Sequence, residues 1–302
     1  MGGTTFRSED IPDLSGQVII VTGGNAGLGL ETIRQLGRRN PARIYLAARS
    51  RAKAEAAINE LKSSNPHIAP ISFLELDLAS FASVRAAADT FSREESRLDI
   101  LMNNAGIMMT PEGLTEEGYE IQFGTNVMGP ALFTHFLLPI LQKTAKINLQ
   151  TRVVMLSSAS ERLAPKDAYK FEELKTTMSD RNTTARYCLS KLADIHWTTG
   201  MAERHPDVKF ISAHPGMVAT NLHHASTGTF LRPFLYTAVL FATPVEKGAL
   251  SQIWAAVSPD ARTGEFYGPV GVAGKGSARS KDRELQGRLF TWVEKELEGQ
   301  RL

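Results

Sequence analysis

One cysteine, Cys188, serves the whole 302-residue chain. A lone cysteine makes no internal disulfide and no cysteine-based zinc site, so a reducing, cytoplasmic setting is the default expectation. An excess of charge of one sign is also missing. Thirty-four basic residues stand against 32 acidic ones, for a net charge of +2, and no bulk field recruits nucleic acid or a membrane surface. No apolar run is long enough to span a bilayer. The first run starts only at Val18, behind an acidic, proline-containing segment (residues 8–12), which is not the pattern of a secretory leader. The most apolar stretch, residues 230–242 (FLRPFLYTAVLFA), is short and interrupted by Arg232 and Pro233. A buried helix is its first reading, a lid over an apolar pocket its second and a membrane-resting face its third. His223 and His224 are adjacent, but no third ligand follows at a suitable spacing, so no metal is expected. No linker, composition break or internal repeat divides the chain, which implies one domain over residues 1–302.

What is present is an alternation. Short apolar runs of strand type occupy residues 17–22 (QVIIVT), 43–48 (RIYLAA), 71–76 (ISFLEL), 99–102 (DILM), 152–156 (RVVML) and 209–213 (KFISA). Segments rich in Ala, Leu, Glu, Lys and Arg separate them, such as residues 51–62 and 81–91. Runs that are apolar throughout suit strands covered on both faces. Strand and helix in alternation give a parallel sheet with right-handed crossovers, an α/β, doubly wound architecture of Rossmann type. Pro139 falls within or near the end of one helix, and residues 160–184 are the most irregular stretch.

The first strand runs directly into Thr22-Gly23-Gly24-Asn25-Ala26-Gly27-Leu28-Gly29, with a helical segment after it. A glycine-rich turn between strand and helix is the context of a dinucleotide site. Gly23 allows the turn, Gly27 lets backbone approach a pyrophosphate, Gly29 lets helix pack on strand, and the helix N-terminus faces the phosphates. Tyr187 and Lys191 stand four apart, so on a helix they share one face. A phenol with its ordinary pKa of about 10 releases its proton reluctantly at neutrality, and an adjacent ammonium is expected to lower that value toward the working range. Ser158 follows a buried strand, so its hydroxyl is expected at the carboxyl edge of the sheet, where it can stabilise a developing oxyanion. Cys188 reads as packing.

The glycine spacing is G-x-x-x-G-x-G, and with it the chain resembles the short-chain dehydrogenase/reductase family. Further family motifs follow in order: Asn103-Asn104-Ala105-Gly106, Asn126 within Thr125-Asn126-Val127-Met128-Gly129, the Ser157-Ser158 pair, Tyr187-Cys188-Leu189-Ser190-Lys191 and His214-Pro215-Gly216-Met217-Val218-Ala219-Thr220. The collinear match runs from about residue 15 to about residue 270. More narrowly the chain is similar to the retinol-dehydrogenase-like and light-inducible alcohol-dehydrogenase-like branch, which includes many fungal reductases. The gap between Ser158 and Tyr187 is longer than usual for the family, as in that branch, which alters the substrate entrance.

The resemblance implies catalytic roles for Asn126, Ser158, Tyr187 and Lys191. Tyr187 is the acid/base, Lys191 also bonds the nicotinamide ribose, and Asn126 holds a water against Lys191. The choice of Ser158 over Ser157 comes from the family pattern. The implied cofactor-binding set is Gly23, Asn25, Gly27, Leu28, Gly29, Arg49, Ser50, Asp77, Leu78, Asn104, Gly106, Tyr187, Lys191, Pro215, Gly216, Val218 and Thr220. NAD-preferring relatives place an acidic residue about 20 positions past the glycine turn. Ala48 stands there instead, followed by Arg49, Ser50, Arg51 and Lys53. A guanidinium there can hold a 2′-phosphate bidentately and Ser50 can add a donor, so NADP(H) is the expected cofactor.

The function expected is hydride transfer between NADP(H) and a carbonyl or secondary alcohol of a hydrophobic small molecule. Residues 221–245 would cover the substrate, and the protein would be a monomer or homodimer with no nucleic-acid or membrane partner. A non-catalytic dinucleotide-binding redox sensor is the alternative, disfavoured because the tyrosine and the lysine are both present. A sugar-nucleotide epimerase or dehydratase of the extended relatives is disfavoured by glycine spacing and by the short chain beyond Thr220.

Overall fold

The computed structural model describes residues 5–218 and 243–302. Six strands fall where the apolar runs stand: β1 (Val18–Thr22), β2 (Arg43–Ala48), β3 (Ile71–Glu75), β4 (Ile100–Asn103), β5 (Arg152–Leu156) and β6 (Lys209–Ala213). They pair in parallel in the order β3-β2-β1-β4-β5-β6. Two short strands extend the sheet beyond β6. β7 (Phe266–Gly268) is parallel to β6, and β8 (Val272–Ala273) returns antiparallel to β7. These two have no counterpart among the apolar runs, because three- and two-residue strands around glycines read as turns.

Seven helices flank the sheet among the described residues, apart from short turns: α1 (Gly27–Leu36), α2 (Arg51–Ser64), α3 (Phe81–Glu94), α4 (Gly129–Ala145), α5 (Thr183–Arg204), α6 (Val245–Val257) and α7 (Arg283–Glu296). Alternate residues of each strand point to opposite faces, and both faces are covered. Ile19 and Val21 pack with Ile33 of α1, Leu61 of α2 and Ile253 of α6. Val18 and Ile20 pack with Phe91 of α3, Leu137 of α4 and Trp197 of α5. That double burial is why the runs lack polar alternation. Pro139 lies inside α4. Of the irregular stretch 160–184, residues 160–182 form loops with short 3-10 turns and 183–184 open α5, yet the loops bury Tyr169, Leu174 and Met178. No helix among the described residues is long and apolar enough to cross a membrane.

At the amino edge of the sheet a single carboxylate ties three strands. Asp99 is fully buried and accepts from the Val18 main-chain N–H at 2.9 Å, from the Arg97 guanidinium at 2.7 and 2.8 Å, and from Asn148 Nδ2 at 2.7 Å. Removing it leaves the buried Val18 N–H without an acceptor and takes the shared partner from Arg97 and Asn148. Asp99→Ala should cost about 2–4 kcal/mol of stability, read as a lower urea midpoint with an unchanged slope. A midpoint equal to that of the wild type would show that the clamp contributes nothing.

Candidate active site

The strand order reverses between β1 and β4, and at such a switch point the loops leaving the carboxyl edge diverge and open a crevice. The glycine turn lies there. Gly23 has a left-handed φ of +66°, and its N–H donates to the Ala47 carbonyl at 2.8 Å. A Cβ on Gly29 would stand 2.4 Å from the Gly23 carbonyl oxygen and 2.7 Å from Asn104 Nδ2, so only glycine lets α1 approach this closely. Ala26 precedes α1 and supplies no side-chain cap, and the first turn holds no acidic residue. The N–H groups of Gly27, Leu28 and Gly29 therefore lack side-chain acceptors at the positive end of the helix, which fits a phosphate.

Thr22 joins this turn to the loop after β4. Its Oγ1 accepts from the N–H groups of Asn104 (3.0 Å) and Ala105 (2.9 Å) and donates to the Met102 carbonyl (3.3 Å), and its own carbonyl accepts from Asn104 Nδ2 (2.8 Å). Asn104 Oδ1 in turn accepts from Gln252 of α6 at 3.1 Å. Asn104 is thus a fixed strut, and Gly106 two residues on opens onto the crevice.

A cleft of about 330 Å³ occupies this edge. Leu28, Asn104, Gly106, Ser158, Tyr187, Lys191, Pro215, Gly216 and Val218 of the expected set line it. Ile107, Met108, Leu156, Ser157, Ala159, His214 and Met217 complete the wall, and most of that surface is apolar. The His214 ring is neutral, its pKa pushed down to about 4 by burial and by Arg162.

Asn182 caps α5 by accepting from the Ala185 N–H at 2.8 Å, and α5 is buried nearly all round from Arg186 to Thr198. Tyr187 and Lys191 are therefore held rigidly, with Nζ 5.9 Å from the tyrosine ring centre. Ser157 and Ser158 part company. Ser157 Oγ donates to the Lys191 carbonyl at 2.7 Å and so braces α5, whereas the Ser158 hydroxyl accepts from the Ser160 N–H at 3.2 Å and interacts with the Tyr187 hydroxyl.

The electrostatics differ from the expectation that Lys191 brings the phenol toward neutrality. Burial drives the Tyr187 pKa above its ordinary value. Lys191 and the Ser158 hydroxyl oppose that, and the nearby Asp194 reinforces it. The net direction is upward because burial outweighs the lysine and the serine together. Lys191 Nζ donates to Asp194 Oδ2 at 2.8 Å and to the Leu156 carbonyl at 2.9 Å. Burial works against the Lys191 charge, but Asp194 and Tyr187 outweigh it and hold the ammonium above its ordinary value.

Asn126 lies in a π turn (Gly124–Met128) leading into α4 and is buried. Its side chain bonds Ile107 at both main-chain groups (2.8 and 3.0 Å) and Ser190 Oγ (3.0 Å). It thereby fixes the loop carrying Gly106 against α5, a role the sequence reading had not assigned to it. Asp77 caps its own loop by accepting from Ala79 N–H at 2.9 Å, and the Leu78 carbonyl abuts Gly129. Neither Asp77 nor Leu78 lines the cleft.

Arg49 and Ser50 lie at the far end of the groove, after β2. Ser50 caps α2. Arg49 is exposed and, among the described residues, has no ion pair. Arg51 is already engaged, 3.5 Å from Glu75, 3.8 Å from Glu55 and stacked 4.7 Å over Phe73. Cys188 is fully buried, its thiol pushed up to about 11 by that burial, in keeping with packing. Among the described residues no group of three or more His, Cys, Asp or Glu is placed to hold a metal ion. Thr220, His223, His224 and the expected covering segment up to residue 242 lie outside the described residues.

The family model for short chain dehydrogenases matches residues 17–167. A short-chain dehydrogenase/reductase of Armillaria gallica is 39% identical over 295 residues, covering 95% of this chain and 92% of its own length. The chain belongs to the short-chain dehydrogenase/reductase family and is an oxidoreductase that uses a nicotinamide dinucleotide. Within the family it is retinol-dehydrogenase-like: human retinol dehydrogenase 14 is 36% identical over 296 residues, covering 92% of this chain and 83% of that one. Among solved structures, the NADPH-bound carbonyl reductase from chicken fatty liver shares the fold with a TM-score of 0.65 at 22% identity, over 86% of this chain and 99% of its own.

Thr22 tests the strut. Thr22→Val keeps the shape and leaves the N–H groups of Asn104 and Ala105 without their acceptor. It should cost about 1–3 kcal/mol of stability and weaken cofactor binding, while Thr22→Ser stays near wild type. Equal cofactor dissociation constants in all three proteins, measured by nucleotide fluorescence, would contradict the assignment.

Proposed function

We propose that the protein is an NADP(H)-dependent reductase/dehydrogenase that interconverts a ketone or aldehyde and its alcohol on a hydrophobic small molecule. The observation that carries the reading is the convergence of Ser158, Tyr187 and Lys191 on one largely apolar cleft at the switch point. Reduced nicotinamide bound there supplies a hydride to the carbonyl carbon. The chain's own part concerns the oxygen. The Ser158 hydroxyl donates to the carbonyl oxygen and stabilises the charge that builds on it. Tyr187 gives its proton to that oxygen, and the Lys191 ammonium stabilises the phenolate left behind. The raised Tyr187 pKa keeps the acid protonated at neutrality, which suits the reductive direction. Ile107, Met108, Ala159 and Met217 along the wall favour an apolar substrate over a sugar or a charged acid. The reading extends to a single dinucleotide-binding domain, with residues 221–245 covering the substrate. It takes the protein as cytoplasmic and as a monomer or homodimer.

Tyr187→Phe should lower reductase turnover roughly 10³-fold or more with NADPH affinity nearly unchanged. Ser158→Ala should lower it about 10²–10³-fold. Stopped-flow NADPH consumption against a panel of ketones, aldehydes and quinones measures both. Near-normal turnover by Tyr187→Phe would refute the mechanism, and inactivity of the wild-type protein across the panel would favour the sensor alternative.

The preference for NADP(H) rests on the exposed cation Arg49, on the cap Ser50 beside it and on the neutral Ala48. Arg51 has Glu55 and Glu75 beside it and lies on Phe73, which makes Arg49 the main discriminator. Arg49→Ala should raise the Michaelis constant for NADPH roughly tenfold to a hundredfold and leave that for NADH almost unchanged. Equal losses with both cofactors, or a wild-type preference for NADH, would overturn the choice.

A further inference from the structure

A buried carboxylate is retained in a fold only if something holds its charge. α5 carries one that the proposed reaction does not use. Asp194 is 0% exposed and lies one helical turn beyond Lys191. Its Oδ2 accepts from Lys191 Nζ at 2.8 Å, and its Oδ1, equally inaccessible, has no hydrogen-bond partner. Nζ gives a second bond to the Leu156 carbonyl at the end of β5, 2.9 Å away. An ammonium has three donors. Two are taken behind the cleft wall, and one remains for the cleft that Lys191 lines. A Cβ on Gly106 would stand 3.7 Å from Nζ, so the ammonium faces that glycine directly.

We propose that Asp194 is a positioning residue for the reaction: it anchors the Lys191 ammonium against the Leu156 carbonyl, directs the remaining N–H into the cleft and sets how strongly the lysine charge acts on Tyr187. The inference rests on the reading of Tyr187 and Lys191 as the proton relay.

Asp194 has two opposed effects. An isolated lysine at this depth would tend to lose its proton. Asp194 prevents that and keeps the ammonium charged, while burial pushes its own carboxyl up to about 7 against the opposing pull of Lys191, so its full negative charge is present on the alkaline side of neutrality. Its negative charge also reaches Tyr187 and offsets part of what the lysine does there. Asp194→Asn keeps an oxygen acceptor of the same size for Nζ, removes the charge and puts an amide nitrogen only where the unpartnered Oδ1 stood, which makes it the discriminating substitution. The titratable groups that Asp194 influences are Lys191 and Tyr187 on α5 and Tyr169 from the loop before it. Tyr169 is fully buried, well above its ordinary pKa through that burial, and its hydroxyl is bonded to His196 Nδ1 at 2.8 Å. Burial pushes His196 down to about 4, so it is neutral near pH 7. Tyr169 and His196 therefore stay neutral over the working range, and Tyr187, Lys191 and Asp194 titrate as one coupled unit.

The test is the pH dependence of kcat/KM for ketone reduction, wild type against Asp194→Asn. Loss of a negative neighbour lowers the proton affinity of both Lys191 and Tyr187. The alkaline limb, where the relay loses its proton, should move to lower pH by about one unit. Because the comparison is the position of a limb, a lower yield of folded protein does not mimic it. An unmoved limb in folded Asp194→Asn overturns the proposal. Should that variant not fold, carbon-13 spectra of aspartate-labelled protein take its place. The Asp194 carboxyl should titrate at higher pH in Lys191→Ala than in wild type, and an unchanged titration overturns the proposal. Tyr187→Phe serves as the control. If it stays active, the relay reading and this inference fall together. If it is inactive while the Asp194→Asn limb is unmoved, the inference alone falls.

Discussion

A charged ammonium enclosed at the carboxyl edge of the sheet is the constraint on which the site depends. Taking a lysine out of water is costly unless its donors are met and its charge is opposed. Here the Asp194 carboxylate supplies the charge and the Leu156 carbonyl a second acceptor. Both need α5 to lie in a fixed place against β5. Ser157 secures that place by bonding the Lys191 carbonyl, and Asn126 does so by bridging the Gly106 loop to Ser190. Polar groups that read as candidate chemistry in a sequence are thus partly the framework that holds one charge still.

The same economy of placement governs the cofactor side. The parallel strands send their carboxyl ends to one edge, and the reversal of order at β1 and β4 opens that edge between them. Thr22 closes the gap between the two diverging loops with hydrogen bonds to Asn104 and Ala105 and to the Met102 carbonyl. The glycine turn and the asparagine that fixes the neighbouring loop are consequently one unit, as the 2.7 Å approach of Asn104 to a hypothetical Gly29 side chain shows.

Much of this was legible before the structure. The six apolar runs gave the strands almost to the residue, because double burial removes polar alternation and leaves a signal that periodicity cannot blur. The glycine turn and the Tyr187–Lys191 spacing are local, so their geometry follows from a turn or a helix alone. Three features were not legible. β7 and β8 form through pairing with a pre-existing edge and carry no pattern of their own. The engagement of Asn126 with Ile107 and Ser190 joins elements far apart in the chain. The sign of the Tyr187 shift turned on burial and on Asp194, and a sequence spacing gives neither depth nor the third member of a charge cluster. Lys191 and Asp194 are three apart on one helix face, so the pair could have been noted; its burial could not.

The adenosine end of the groove shows how charge neighbours decide which cation is free. Arg49 and Arg51 both follow β2, and the sheet gives them different neighbours. Register places Ala48 beside Glu75 on β3. Arg51, one step into α2, falls within reach of that carboxylate and of Glu55 a turn later, and it lies flat on Phe73. An arginine stacked on a ring beside two carboxylates is less free to turn toward a phosphate than one with no such neighbours. Arg49 precedes the helix and shares none of these partners. A basic cluster is therefore not additive: the strand register places one guanidinium beside the protein's own acids and leaves the other without an ion pair among the described residues.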